Sequence, residues 1–289
     1  MLRLSQYTAP TAEPLHLTEA KLHLRLAVDA AGAATYTAED ALLTAMISAA
    51  RQVAETETWK ALVLQVWDLF LDEWPTGNEI ILPVPPLRAV ESVKYTGTDG
   101  TVNTLAATEY EVDTDSTPGR VVLGYDKEWP SEELSPKNPI HIRFRAGYLV
   151  PFTATAATDV IAAPNHPFSD GDKVRLSVSG GSLPAGSAVL TDYFVRDAVA
   201  GVSLKLAATA GGVAIDLTSA GTGNMFIGEI PPATVAGMKL VLTDLYENRG
   251  DTVIERNVVP AILPRAASHL FAMDSARSFR CRRASEIIS

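Results

Sequence analysis

Residues 37–71 read TAEDALLTAMISAARQVAETETWKALVLQVWDLFL, and this stretch decides the fold prediction. Thr37, with Asp40 three residues later, resembles a capping arrangement and opens a helix expected from Ala38 to about Thr58. Apolar residues recur along one face of it at helical spacing: Leu42, Met46, Ala49 and Val53. Residues 62–71 are rich in Val, Trp and Phe, which favours a β-strand. The pattern predicts a helix that packs on a sheet.

The residues on either side extend this pattern. Thr18 is a good N-cap for a short helix from Glu19 to about Val28. Thr98-Asp99-Gly100 is typical of a hairpin turn. Further strands are predicted at 79–82, 90–95, 110–113, 120–123 and 140–145. Residues 1–150 are therefore expected to form two helices packed on a small antiparallel sheet.

Residues 152–228 have a different composition. They are rich in Ala, Gly, Thr, Ser and Val, and they contain no Trp, Glu or Cys. Turn signals separate short β runs at 174–178, 193–196, 202–206 and 214–217. This composition predicts a compact all-β module inserted into another fold.

The chain then returns to a helical pattern. Pro232 is well placed at a helix start, because no N–H partner is needed there. Val235, Met238, Leu242 and Leu245 mark one face of a helix that should end near Gly250. The residues from 251 onward are expected to be extended or only locally helical.

The predicted fold class is α+β: a helical bundle packed with a small antiparallel sheet, plus an inserted all-β domain. The predicted organisation is a core in two parts, an insert and a tail. Its boundaries are 1–151 for the first part of the core, 152–228 for the insert, 229–250 for the last core helix and 251–289 for the C-terminal tail.

Charge and composition exclude several classes of protein. The net charge of −10 argues against a general nucleic-acid binder, which needs clustered Lys and Arg. The single cysteine, Cys281, allows no intrachain disulfide. No run approaches the ~20 apolar residues of a membrane helix, and the N-terminus lacks the pattern of a secretory signal. A soluble protein without a membrane partner is expected.

No catalytic or metal-binding motif stands out. The five histidines are scattered, and phosphate-binding loops and the GxSxG nucleophile motif do not occur. We therefore predict no catalytic residue, no metal and no cofactor. A hydrolase is the weaker alternative, and the nearest approach to a carboxylate cluster is Asp113, Asp115 and Asp126.

Two stretches could form contacts with other proteins. An aromatic and proline-rich segment is explained either by core burial or by a subunit interface; it contains Trp67, Trp74, Pro83, Pro85 and Pro86. The second stretch is basic in an acidic chain and is either a solvated end or a docking segment for an acidic partner; it contains Arg277, Phe279, Arg280, Arg282 and Arg283.

An ordered set of short sequences resembles the head–tail connector (adaptor) proteins of long-tailed bacteriophages and gene-transfer particles. The set is LTEAKLHLR at 17–25, EDALL at 39–43, AAR at 49–51, AL at 61–62, QVW at 65–67, LDEWP at 71–75, ILPVPPL at 81–87, VESV at 90–93, YEVD at 110–113, RAGY at 145–148 and LYENR at 245–249. The resemblance covers about residues 1–150 and 229–250. Family members usually run from the AGY strand almost directly into the Pro-initiated helix, whereas here residues 152–228 intervene.

The resemblance implies a non-enzymatic virion protein at the head–tail interface, assembled in the host cytoplasm. Such subunits form a ring, typically twelvefold, between the portal protein and the stopper or tail-completion protein. The ring would line a channel through which dsDNA passes without specific binding, and an acidic lining would let it slide. The arginine-bearing tail would dock on the portal, and the Trp67–Pro86 segment would contact a neighbouring subunit or the stopper.

The insert leaves a second function open. Its segments around 165–174, 183–186 and 193–195 resemble a small β module that recurs in phage virion proteins. A surface-binding or decoration protein that acts through this module is the alternative. Four aromatic residues could serve such binding: Phe168, Tyr193, Phe194 and Phe226.

Overall fold

The computed structural model describes residues 2–26, 37–248 and 263–276. These residues form fourteen strands and four helices. In chain order they are β1 (Leu2–Thr8), α1 (Leu17–His23), α2 (Asp40–Thr58), β2 (Gln65–Leu71), β3 (Glu79–Ile81), β4 (Leu87–Thr96), β5 (Val102–Thr104), β6 (Tyr110–Asp113), β7 (Arg120–Leu123), β8 (Ile140–Ala146), β9 (Val150–Thr155), β10 (Val160–Ala162), β11 (Lys173–Ser182), β12 (Asp192–Val199), β13 (Ser203–Ala207), β14 (Thr222–Gly228), α3 (Pro232–Glu247) and α4 (Arg265–Met273).

The protein is mostly β, so the predicted fold class, a helical bundle with a small sheet, is wrong. The strands form a five-stranded sheet in the order β1-β2-β8-β4-β5, a three-stranded sheet in the order β3-β7-β6, and a closed six-stranded barrel. The sequence analysis missed β1, β5, β9, β10 and β14. These strands enlarge the first sheet and close the barrel, and for this reason the β content was underestimated.

Helix α2 ends at the predicted Thr58 but begins two residues later than predicted, and it buries a different face. It begins at Asp40, and its N-cap residue, Glu39, makes no side-chain cap. Leu43, Ile47, Ala50 and Ala54 are buried, each one position after a residue of the predicted stripe, and Arg51 and Thr58 are buried as well. Leu42, the first residue of the predicted stripe, is 37% exposed. The helix ends where Trp59 adopts the left-handed conformation, with φ of 60°.

The other helices pack against α2 in one apolar core. Helix α1 is shorter than predicted, and His16 rather than Thr18 caps it, since the His16 ring accepts the Thr18 N–H at 3.2 Å. Helix α3 begins at Pro232 as predicted. Helix α4 lies in the segment predicted to be extended or only locally helical, and it inserts Phe271 against Gly237 of α3. The core also includes residues where the chain enters and leaves the barrel: Leu149, Phe226 and Ile230.

The five-stranded sheet has one apolar face and one polar face. Its apolar side chains, which include Leu69, Val93, Ile142 and Phe144, pack in a second core with residues of the three-stranded sheet such as Val121. The side chains that alternate with them point to the other face. The alternation of buried and half-buried residues is regular in β8, whereas β2 was recognised in the sequence by its Val, Trp and Phe content.

The barrel is built from β9 to β14, in the order β10-β13-β12-β11-β14-β9. The chain enters it from β8 through Gly147, where φ is 150° and an added Cβ would lie 2.6 Å from the backbone of Leu64. The strand predicted at 214–217 does not form, and only Ala214 makes an isolated bridge, to Ala207. Strands β14 and β9 pair instead and close the sheet.

Candidate functional site

The predicted aromatic and proline-rich segment lies partly inside the protein. Trp74 stacks on Trp129 with ring centroids 4.9 Å apart and meets Tyr95 edge-on. Pro85 is buried, whereas Pro83 and Pro86 are half-buried. Trp74 therefore belongs to the second core rather than to a freely exposed patch, and the role of this segment in subunit or stopper contact stays a prediction.

Trp67 lies on an open groove of about 530 Å³ between α2 and the β1–β2 edge of the sheet. Glu55 lines the same groove, and burial raises the pKa of this carboxyl despite hydrogen bonds from the Leu62 N–H and from Arg51. Arg51 also donates to Glu13 at 2.9 Å. Gln65 of β2 donates to Glu55 at 2.6 Å and accepts from Gln6 of β1 at 2.6 Å, so the network ties the N-terminal segment and β1 to α2 and β2.

The proposed portal-docking residues Arg277, Phe279, Arg280, Arg282 and Arg283 lie outside the described residues, so docking stays a prediction. The base of this tail is firmly held.

The anchor of the tail is formed at the end of α4. Asp274 contacts Lys60 Nζ at 2.5 Å and accepts the Thr234 hydroxyl at 2.7 Å. The Ala276 N–H donates to the Thr58 carbonyl at 2.8 Å. Burial alone would lower the pKa of Lys60, but its hydrogen bonds with Asp274 and Tyr148 raise it, so the lysine stays charged. Whatever follows residue 276 therefore starts from a fixed point beside the C-terminal end of α2.

The outward face of the five-stranded sheet carries a network centred on Asp68. Burial would raise the pKa of this carboxyl, but contacts with Arg143 and His141 outweigh it and lower the pKa. The Arg143 guanidinium donates to both Asp68 oxygens, at 2.8 and 2.9 Å, and its carbon lies 3.4 Å from the centre of the Tyr7 ring. The sequence analysis missed this network, because it depends on the pairing of β2 with β8.

Strand β1 is the edge of that face. Arg3 lies over the Phe70 ring at 5.7 Å, and within the described part of the chain it forms no ion pair. Tyr7 is 60% exposed. We call Arg3, Tyr7 and Arg143 the basic edge.

An acidic loop borders the opposite edge of the same sheet. It comprises residues 125–133, and its exposed carboxylates are Asp126, Glu128, Glu132 and Glu133. Trp129 fixes it by donating its Nε1–H to the Gly77 carbonyl at 2.8 Å. The Asn103 amide of β5 donates to Glu132 at 3.1 Å, and the Thr98 N–H donates to the Glu133 carbonyl at 3.1 Å. Tyr125, at the start of the loop, is 99% exposed.

A groove of about 280 Å³ separates the barrel from α1 and α3. Lys239 of α3 pairs with Glu19 of α1 at 2.7 Å, and Lys173 of β11 pairs with Glu229 at 2.8 Å. Burial lowers the pKa of His16 at the rim. Neither of these two ion pairs crosses the groove, since the first joins α3 to α1 and the second joins β11 to the segment that follows β14.

The carboxylates of the weaker hydrolase alternative lie in a turn and in the acidic loop. Asp113 accepts from Ser116 and from Arg120, and hydrogen bonds led by the Ser116 hydroxyl hold its pKa well below the usual range. Such a permanently ionised group caps a turn and cannot act as a general acid near neutral pH. Asp126 adopts φ of 59° in the acidic loop.

No group of three or more His, Cys, Asp or Glu side chains that could hold a metal ion occurs within residues 2–26, 37–248 and 263–276. None of the helices in the described part of the chain is long and apolar enough to cross a bilayer.

Comparison with known proteins gives similarity at the level of fold. No protein-family model matches the chain, and no curated protein matches it. A solved structure described as "Neck of empty GTA particle computed with C6 symmetry" is 18% identical, with a TM-score of 0.54, and the match covers 94% of this chain and 95% of that one. A second, "Virion of native gene transfer agent (GTA) particle", is also 18% identical, with a TM-score of 0.52 and 94% coverage of both chains. The chain thus shares the fold of a component of such particles over nearly its whole length, including the barrel.

Proposed function

We propose that this protein is a structural subunit of the neck of a tailed phage or gene-transfer particle. The observation that carries the proposal is the similarity in fold to chains of a GTA neck and virion over 94% of this chain. The ordered sequence resemblance to head–tail connectors is a second, independent support for residues 1–150 and 229–250.

The finer proposal is a ring, twelvefold in the family that the sequence resembles, placed between the portal and the stopper or tail-completion protein. One related neck was computed with C6 symmetry, which is compatible with rings of six or twelve copies. The net charge of −10 suits a conduit that repels phosphates, so dsDNA would pass without specific binding. The protein would be located in the virion after assembly in the cytoplasm.

The anchored base of the tail supports the proposed portal docking. Asp274 and Ala276 hold the chain beside α2, so residues 277–289 start from a fixed point. In this proposal 1–151 and 229–250 form the connector core, 152–228 the inserted module and 251–289 the docking tail, although 263–276 also pack on the core.

The test compares the full-length chain with a chain that ends at Ala276, which keeps α4 and its anchor. A matched variant replaces Arg277, Arg280, Arg282 and Arg283 by Gln. Each is mixed with the portal protein of the same particle and imaged by electron microscopy. The full-length chain should stack on the portal, and both variants should bind at least about tenfold more weakly, because charge-assisted arginine contacts are lost. A full-length chain that does not associate with the portal contradicts the proposal.

A second candidate function is surface binding or decoration through the barrel. The observation in its favour is a set of exposed apolar side chains on the barrel: Val199, Val202 and Val213, with exposed fractions of 54%, 57% and 83%. Val199 and Val202 flank the turn between β12 and β13. Replacing both by Ser should abolish binding of particles to cells or to other virion proteins if this candidate is correct, and should leave binding unchanged if the barrel only braces the neck.

A further inference from the structure

We infer that copies of this chain associate head to tail, with the acidic loop of one copy docked on the basic edge of the next. The inference rests on the proposed function, because it specifies how a ring would close, but a separate measurement tests it.

The two surfaces carry opposite and incompletely paired charges. Arg3 of the basic edge contacts the Phe70 ring. On the acidic side, Asp126, Glu128 and Glu133 form no ion pairs among the described residues. The exposed Arg3 and the exposed Tyr7 ring on β1, in a chain with a net charge of −10, fit an acidic partner.

Tyr125 and Tyr7 supply apolar area on the two sides. Tyr125 is 99% exposed and Tyr7 is 60% exposed. Tyrosine is enriched at protein interfaces, because a rigid ring buries a large area at little conformational cost and keeps a hydroxyl for hydrogen bonding. Arg143, held by both oxygens of Asp68, keeps the Tyr7 ring in place. The basic edge is thus preorganised, and so is the loop that Trp129 pins.

The arrangement of the sheet determines the symmetry of the contact. Strand β1 is at one edge and β5 at the other, and four strand spacings of about 4.8 Å place these edges roughly 19 Å apart. When the two edges meet side by side, the contact is heterologous, because the surface on each edge faces a different surface on the next copy. Repeated contacts of this heterologous kind close into a ring or continue as a filament.

A second copy explains the surfaces better than nucleic acid does. On the outward face of the sheet, Arg143 and Arg145 are already paired with Asp68 and Glu91, so they offer little to phosphates. The acidic loop would repel phosphates. One chain, however, carries both complementary surfaces.

The test uses two variants of the full chain, and each variant carries uncharged substitutions on only one of the two surfaces. Variant A is R3Q/Y7S, which removes the exposed cation and the exposed ring of the basic edge, and variant B is Y125S/E133Q, which removes the exposed ring and one carboxylate of the acidic loop. All four positions are exposed, and circular dichroism will verify the fold. Val213→Ser, on the exposed surface of the barrel, is the matched control. Sedimentation velocity then gives the assembly state of each protein alone and of an equimolar mixture of A and B.

Wild type and the control should form assemblies larger than dimers, and these should weaken as salt rises from about 0.1 M to about 1 M, where the screening length falls from about 10 to about 3 Å. Variants A and B alone should each associate about tenfold more weakly or worse. Mixed, they should stop at a one-to-one dimer, because only the loop of A and the basic edge of B remain. A wild type that stays monomeric at several hundred micromolar, variants that assemble like wild type, or a mixture without the dimer would overturn the inference.

The proposed function is tested independently by portal binding. A chain that binds the portal but fails here keeps its proposed function and loses this interface. A chain that assembles as described but ignores the portal loses the neck role instead.

Discussion

The contact between Phe271 of α4 and Gly237 of α3 predicts that the effect of Gly237→Ala on stability changes sign when the Phe271 ring is removed. Phe271 is 1% exposed, and a Cβ added at Gly237 would lie 2.5 Å from its ring. Phe271→Ala should therefore cost about 3–5 kcal/mol, from lost burial and from the cavity that remains. Gly237→Ala should be destabilising in the wild type, because overpacking costs about 1–3 kcal/mol.

In the Phe271→Ala background the same Gly237→Ala change should be stabilising. The clash is gone, and alanine is favoured over glycine inside a helix by about 1 kcal/mol. The new methyl group also fills part of the cavity. The difference between the two effects of Gly237→Ala on the free energy of unfolding is a coupling of about 1–3 kcal/mol. It links two positions that are 34 residues apart in the chain.

The measurement is native-state hydrogen exchange of the α4 and α3 amides in the four proteins of this double-mutant cycle, together with urea denaturation. Exchange separates local release of α4 from global unfolding. If Gly237→Ala has the same effect with and without the Phe271 ring, the close packing of α4 on α3 is refuted. The anchored base of the tail would then lose its support.

Three further predictions concern charged groups. Burial raises the pKa of Glu55, so its contribution to stability is complete at low pH and is lost as the pH rises through the raised pKa; Glu55→Gln should flatten this loss in urea midpoints measured across pH. The pKa of Asp68 is lowered because its contacts with Arg143 and His141 outweigh burial, so its contribution is lost as the pH falls through the lowered pKa. Asp68→Asn should remove that acid dependence and cost about 1–3 kcal/mol near neutral pH, measured by urea denaturation. Asp274→Ala leaves Lys60 without its anion and should increase hydrogen exchange in α4, at a cost of about 1–3 kcal/mol.

Each of these predictions has a contrary outcome. An unchanged pH profile in Glu55→Gln would mean that this carboxyl is not buried as described. Full acid sensitivity retained in Asp68→Asn would place the titrating group elsewhere. Unchanged protection of α4 in Asp274→Ala would show that the ion pair does not hold the tail.

Local sequence patterns predicted most of the strands outside the barrel. Strands β6 and β7 begin and end at the predicted residues, Tyr110–Asp113 and Arg120–Leu123. These segments combine β-branched or aromatic residues with clear turn signals, so their local preference agrees with the final structure. Strand β1 was missed because its sequence, LRLSQYT, shows little of this pattern. Its stability comes from pairing with β2.

The face of α2 could not be derived from spacing alone. Apolar residues occur as neighbours along this helix, in pairs such as Leu42-Leu43 and Met46-Ile47, and both members of a pair fit the same helical period. The tertiary structure decides between them, and it buries Leu43 and Ile47. The closure of the barrel was missed for a related reason. The glycine-containing strand β14 has weak local preference and is specified by its partners β11 and β9.

The candidate interaction surfaces depended on tertiary structure even more strongly. The basic edge joins β1 with Arg143 of β8, and the acidic loop meets β5 through Glu132 and Asn103. Only the strand order brings these groups to opposite edges of one sheet. The arginine-bearing tail, in contrast, was evident from composition alone.

The central claim is that this chain is a neck subunit, and cryo-electron microscopy of particles that contain it tests the claim most directly. Reconstruction of the head–tail junction should show the five-stranded sheet, the four helices and the six-stranded barrel repeated around the axis between the portal and the tail. Density for this fold on the capsid exterior or on the tail fibres, with none at the junction, would contradict the account.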